Sequence, residues 1–174
     1  MAGAARASVD HGGLEAGELR GGLEAKVSFG DVRLDSVTGP AQVEVDHGGL
    51  RGKGLAGGGR LRVSGDDVSV DGFRGPLQVE ARRGSVELVP SGPLTEALDV
   101  STQNGGVRLE VPERSAFELL ASASRGEVQA DLPGLSAHER SPDRITGTLG
   151  GGGARVSLSA RHGDVVLIPG EGAP

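Results

Sequence analysis

Four histidines carry much of the side-chain chemistry this chain could offer. Asp10-His11 and Asp46-His47 repeat one acid–imidazole pair, and two such pairs brought together would make a donor set for a divalent metal. His162-Gly-Asp164, with Ser157 and Ser159 close by, supplies the letters of a nucleophile, a base and an orienting acid. Gly52-Lys-Gly-Leu-Ala-Gly57 spells the G-x-G-x-x-G of a dinucleotide cradle, and Gly57–Gly59 and Gly150–Gly153 have the look of Gly-rich calcium repeats. Arg82-Arg83, Gln103-Asn104, Arg125 and Arg161-His162 form a dispersed basic and amide set that suits a phosphate or a sulfated glycan. Which of these sets is assembled depends on the elements that hold them.

The elements are set by a repeat. Gly3, Gly21, Gly39, Gly57 and Gly75 fall 18 residues apart, and Gly12, Gly30, Gly48 and Gly84 keep the same spacing, with Asp66 in the missing place. Columns read at that period give six apolar positions per repeat, such as Leu23, Ala25, Val27, Val32, Leu34 and Val37, then Ala41, Val43, Val45, Leu50, Gly52 and Leu55. Over five repeats only Gly52, Gly59 and Ser91 interrupt these columns. The residues between them, Glu24, Lys26, Arg33, Gln42, Glu44 and Arg51 for example, are polar, and alternation with period two marks half-buried strands. Each repeat reads as a strand, a Gly turn, a second strand and an apolar corner residue. No stretch has helical spacing.

Three looser copies follow, at Leu98–Leu109, Leu119–Ala130 and Val156–Leu167, with insertions at one corner around Pro90–Glu96, Pro112–Ala116 and Pro133–Gly153. Stacked coils tolerate corner insertions because the rungs must stay in register while the loops need not. Coils ~4.8 Å apart place residue i over residue i+18. Charges obey that geometry: Lys26, Glu44, Arg62 and Glu80 alternate in sign along one column, and Asp35, Lys53 and Asp71 along another. The sequence thus predicts an all-β parallel β-solenoid, a single-stranded β-helix of about eight rungs and roughly 35–40 Å long, right-handed as parallel crossovers overwhelmingly are. Residues 1–174 read as one domain, with regular 18-residue rungs over 3–92, looser rungs over 93–168 and a short tail at 169–174. The copies are expected to stack in chain order, without a capping helix. Pro169 and Pro174 would blunt the last edge, and nothing comparable protects the first.

On such a scaffold Asp10-His11 and Asp46-His47 lie two rungs, ~9.6 Å, apart, too far to share one ion. No helix follows the G-x-G-x-x-G run, and the Gly runs continue into Arg60 or Ala154-Arg155 where a calcium repeat needs Asp. The serines near His162 lack a nucleophile elbow. No catalytic, cofactor or metal site is therefore expected. Arg82, Arg83, Asn104, Arg125, Arg161 and His162 fall at one corner of the last four rungs, a candidate corner for a partner or an anion; a solvated edge partly neutralised by Glu127 and Asp164 is the plainer reading. Phe29 occupies the same turn column, a possible contact with another chain.

Composition narrows the classes further. Gly supplies 32 of 174 residues, Trp, Tyr and Cys are absent and Phe occurs three times, which excludes an aromatic core, a disulfide framework and Cys-ligated metal. A net charge of −6 without stacking rings argues against nucleic acid. Sugar platforms usually need Trp or Tyr, and glycoside cleavage needs two carboxylates facing a cleft, whereas the acids here spread along ladders. The opening residues lack the basic start and apolar stretch of a secretory signal, and the longest strongly apolar run is Val165–Ile168. The expectation is a chain without membrane insertion, cytoplasmic as written.

Leu98-Asp-Val-Ser-Thr-Gln-Asn-Gly-Gly-Val-Arg-Leu109, Ile145-Thr-Gly-Thr-Leu-Gly-Gly-Gly-Gly153 and Arg161-His-Gly-Asp-Val-Val-Leu-Ile168 resemble a bacterial family of β-strand-repeat domains of unknown function that carries an adhesin label. The first looks like the family's strand, Thr-x-Asn-Gly turn, strand unit, and the other two like its final rung. His11, His47 and Arg83 stand where that pattern has Asn. The resemblance implies a β-solenoid, no known catalysis and frequent association with the cell envelope. The sequence and the resemblance together point to a non-catalytic structural or interaction module that binds a protein partner or itself, end to end or laterally, with no cofactor and no nucleic acid. A carbohydrate-binding or polysaccharide-acting β-helix is the alternative.

The inward and outward assignment is directly testable. Val45→Asp buries a charge between Val27 and Val63 and should lower unfolding stability by more than about 3 kcal/mol, whereas Glu44→Gln should stay within about 0.5 kcal/mol. Chemical denaturation of the two variants checks the difference.

Overall fold

The computed structural model describes residues 5–74, 76–90, 96–111, 115–132, 134–151 and 153–169. Its eighteen strands run β1 (Ala5–His11), β2 (Leu14–Leu19), β3 (Leu23–Phe29), β4 (Val32–Val37), β5 (Ala41–His47), β6 (Leu50–Leu55), β7 (Gly59–Val63), β8 (Val68–Phe73), β9 (Leu77–Arg83), β10 (Val86–Pro90), β11 (Leu98–Asn104), β12 (Val107–Val111), β13 (Phe117–Arg125), β14 (Val128–Ala130), β15 (Ser136–Ser141), β16 (Arg144–Leu149), β17 (Ala154–His162) and β18 (Val165–Pro169). Among the described residues there is no helix, hence none long and apolar enough to cross a membrane. The chain is an all-β solenoid of two facing sheets, parallel except at the β15–β16 hairpin.

The register follows the repeat. Leu23 pairs Ala41, Val27 pairs Val45 and Val32 pairs Leu50, so through the regular coils each residue sits over the one 18 positions away, and the β9–β11 and β10–β12 pairs are offset by 21. Alternate side chains of both sheets point into one core, where Val27, Leu34, Val45, Leu61, Val86 and Leu88 are fully buried. Thr102 is the polar member of its inward column; it is buried and its Oγ1 donates to the Gly105 carbonyl at 3.0 Å. Two outward residues precede the apolar corner of the early second strands, and the second of them takes a left-handed conformation at Glu18, Ser36, Gly54 and Gly72 (φ 53°, 56°, 69° and 75°). That local twist turns the chain out of the sheet and drops Leu19, Val37, Leu55 and Phe73 back towards the core. Pro90, paired with Phe73 after a register shift, fills the same corner in β10. Ser91 lies outside the described residues.

The charge columns are in register, yet few close. Arg62–Glu80 (3.4 Å) and, one column over, Arg6–Glu24 (3.1 Å) are the ion pairs among the described residues. Lys26–Glu44 and the Asp35–Lys53–Asp71 column face each other without closing. Exposed pairs of this kind gain little Coulomb energy in water and lose side-chain entropy when held, so open geometry costs almost nothing.

The order of stacking corrects the sequence reading. In the first sheet the strands follow β1-β3-β5-β7-β9-β11-β17-β13-β16-β15, and in the second β14-β18-β12-β10-β8-β6-β4-β2. The last coil of the chain, β17 and β18, is inserted between its two predecessors. β13 and β17 are both nine residues long and pair over their length, from Phe117–Ala154 to Arg125–His162. Insertion gives Val165 and Leu167 a neighbour on each side and buries both fully, while the three-residue β14, with Val128 and Ala130 slightly exposed, takes the end. Burying the most apolar coil inside and leaving the thinnest outside maximises apolar area removed from water.

The largest corner insertion is itself structured. Residues 136–149 form the β15–β16 hairpin, and β16 adds antiparallel to the far edge of β13, with Ile145 and Leu149 in the core. Ile145–Leu149 is therefore a strand of this hairpin, and the far edge of the first sheet is closed by it. Pro169 lies at the end of an interior strand opposite Val111, so it blunts no edge, and Pro174 lies outside the described residues.

Because β13 is tied to β11 only through β17, removing residues 154–174 should release the segment 117–149 while leaving residues 23–88 protected. Hydrogen exchange read by mass spectrometry on the truncated chain checks this.

Candidate functional site: the stacked turn ladder

Outside β7, each first strand of a coil ends in two residues that face away from the core, the second of them exposed, and then turns through glycine. At Gly30 and Gly163 the backbone is in the positive-φ region (144° and 149°), and a Cβ there would run into the carbonyl of Gly12 or Gly105 in the neighbouring coil. With the turns this close, the exposed residues just before them stack into one column. Strand pairing orders it as His11–Phe29–His47 in the early coils and Arg83–Asn104–His162–Arg125 in the late ones. Between the two runs β7 stops at Val63, and its irregular turn through Ser64, Gly65 and Asp66 breaks the column.

The early run is an aromatic stack. The Phe29 ring lies 5.0 Å from His11 and 4.7 Å from His47, with interplanar angles of 15° and 16°. Both faces of Phe29 are thus occupied within the chain, which accounts for a ring that stays 47% exposed. Such pairs contribute about 0.5–1.5 kcal/mol each beyond burial. The same ring separates His11 from His47, so the two Asp-His pairs stand on either side of a phenyl group.

The late run is polar, and the inserted coil sets its order. Chain-order stacking would set Arg125 beside Asn104, whereas the structure places His162 between them. Arg125 Nη1 donates to His162 Nε2 at 3.2 Å, and His162 Nδ1 lies 3.3 Å from the Gln103 carbonyl. A guanidinium can only donate, so Nε2 accepts and the proton sits on Nδ1, which donates to Gln103. Arg82 and Arg161 occupy the position one residue earlier, two coils apart with Gln103 between them. All six residues proposed from sequence, Arg82, Arg83, Asn104, Arg125, Arg161 and His162, are exposed on this one edge.

A set of carboxylates underneath was not anticipated in this role. Asp31 Oδ1 accepts from the Gly49 amide at 3.0 Å, Asp67 Oδ1 from Ser85 at 2.7 Å and Asp164 Oδ1 from Glu127 at 2.9 Å. Each ties a turn to the next coil by a charge-assisted hydrogen bond. Asp164 is therefore a turn cross-link, and His162 faces Arg125 and Gln103 rather than a serine. The sequence held a signal for part of this set, since Asp31 and Asp67 follow the turn position two periods apart. Gly52–Gly57 lies in β6 and the corner after it, where Gly57 packs against Gly39.

A family model for Toastrack DUF4097 matches residues 23–167. The chain belongs to the Toastrack family. The matched span of this Toastrack domain begins at β3 and ends within β18, so it includes the inserted coil and the late turn run, with β1 and β2 ahead of it. No curated protein and no solved structure matches the chain.

Nitrogen-detected NMR of the imidazoles should find His162 in the Nδ1–H form. Arg125→Ala should remove the donor to Nε2 and shift the tautomer balance towards Nε2–H, with His11 and His47 unchanged.

Proposed function

We propose that this Toastrack chain is a non-catalytic structural and interaction module, mediating protein–protein or self-association, whose late turn run receives an anionic group of its partner. The observation that carries this reading is the late run itself. On a chain of net charge −6, four arginines from three separate segments lie on one edge. Asn104 and His162 add amide and imidazole groups between the cations. Guanidinium groups on a rigid scaffold suit phosphate, sulfate or carboxylate, because their forked donors match those oxygens. The envelope adhesion that the sequence resemblance implies would be one setting for such a module.

One observation favours carbohydrate binding as a second reading. An open groove of about 730 Å³ runs along the opposite corner, with Gly22, Pro40, Gly57 and Pro76 along it and Gln42, Arg60 and Gln78 beside them. Amide and guanidinium groups at the coil spacing can hydrogen-bond sugar hydroxyls, although no ring flanks the groove to stack on a pyranose.

Amide NMR titrations distinguish the two. Inorganic phosphate or sulfate should shift residues 82–85, 103–106, 124–127 and 161–164 saturably, and Arg83→Ser with Arg125→Ser should weaken that binding roughly tenfold, about 1.4 kcal/mol. Shifts scattered over the surface would overturn the anion reading. Saturable shifts at Gln42, Arg60 and Gln78 with a neutral oligosaccharide would favour the groove.

A further inference from the structure

We infer that the partner in self-association is a second copy of this chain, joined head to head through the β1 edge about a twofold axis at Ser8. The two ends of the solenoid differ. At the far end the outermost strand of the first sheet is β15, whose six residues include His138, Glu139 and Arg140 and whose register is broken by a bulge between Ala137 and Glu139, and that of the second is the three-residue β14, whose Val128 amide donates to the Pro142 carbonyl of the hairpin turn. Charges and a bulge are the usual means of blocking strand addition. At the near end β1 and β2 are the outermost strands of their sheets, and β1 has no proline and pairs with β3 without a bulge from Ala5 to Val9. There Ala5, Val9, Leu14, Ala16 and Leu19 are only partly buried, whereas Leu23, Ala25, Val27, Val32 and Leu34, one coil inward, are at most 4% exposed. The first coil thus presents core residues that lack their next layer.

The backbone defines a register. The Ala5 amide donates to Gly22 of the neighbouring coil, so by the two-residue alternation of a strand the amides and carbonyls of Arg6 and Ser8 point to the open edge; after Val9 the strand twists, and the Gly12 amide turns back to Phe29. Antiparallel addition of a second β1 centred on Ser8 matches Ser8 with Ser8 and Arg6 with the other copy's Asp10, twice. That register engages the free backbone groups of Arg6 and Ser8 and sets opposite charges across the seam on the same exposed face. Arg6 already holds Glu24 at 3.1 Å, so it would bridge two carboxylates. The same twofold lies along the sheet normal, which brings the two β2 edges together and continues both sheets across the junction. Since among the described residues only the near end is open, association closes at two copies and does not grow into a filament.

This inference rests on the interaction-module reading but uses a different surface, so phosphate titration at the late turns and the experiment below fail independently. Light scattering over a concentration series should show the 17.5 kDa chain approaching twice its mass and no more. Arg6→Glu and Asp10→Arg place like charges across the seam and should each remain monomeric. Mixed together they should restore the dimer, because each then meets the opposite charge. Ser8→Pro removes an edge amide that β3 does not use and should be monomeric, with its melting temperature below the wild-type dimer's only by the loss of concentration dependence. A wild-type monomer, growth beyond the dimer, unaffected single variants or a mixture that stays monomeric would overturn the proposal.

Discussion

The close approach of successive turns is the constraint on which the molecule depends. Parallel coils must lie ~4.8 Å apart for their backbones to bond, and at the turns that spacing leaves no room for a side-chain carbon over the carbonyl beneath. Glycine there allows every other column to align. A Cβ at Gly30 or Gly163 would force two coils apart at the turn and, through the register, disturb the packing of Val27 on Val45 or Val165 on Val107. The high glycine content is thus the condition under which a core of Val, Leu and Ala can stack without gaps.

Alignment then decides what the surface can be. Side chains before each turn have no freedom to choose neighbours, because the coil spacing chooses for them. Rings stack where the column holds His11, Phe29 and His47, and donors meet acceptors where it holds Arg125 and His162. Carboxylates one residue after the turn position reach the next coil's amide and lock the turns together. The outward charges on the flat faces are held less tightly, and most do not close into pairs. Order at the turns and looseness on the faces make the edge the better place to hold a partner in a defined geometry.

The two ends show the opposite problem. A solenoid has a first and a last coil, and each exposes backbone groups that want a strand. Here a hairpin carried by the largest insertion covers the far edge of the first sheet, and its outer strand is charged and bulged. Among the described residues the near end has none of these devices, and its partly buried apolar residues lie next to the outward-facing amides and carbonyls of Arg6 and Ser8.

The 18-residue period, the inward columns, the turn glycines and the absence of helices were legible from sequence because each depends on neighbours one period away, and a period leaves its mark in the chain. The membership of the late turn edge was legible for the same reason. Tertiary structure alone decided that the Val156–Leu167 coil lies between the Leu98–Leu109 and Leu119–Ala130 coils. All three carry equivalent strand patterns, so the local signal cannot rank them, and only total burial and the matched lengths of β13 and β17 select the order. It also turned the 136–149 insertion into a cap, since its mixed polarity reads as a loop until the free edge of β13 gives its backbone a partner. From that order follow the contact of His162 with the Gln103 carbonyl and the capped far end, neither of which any one segment encodes.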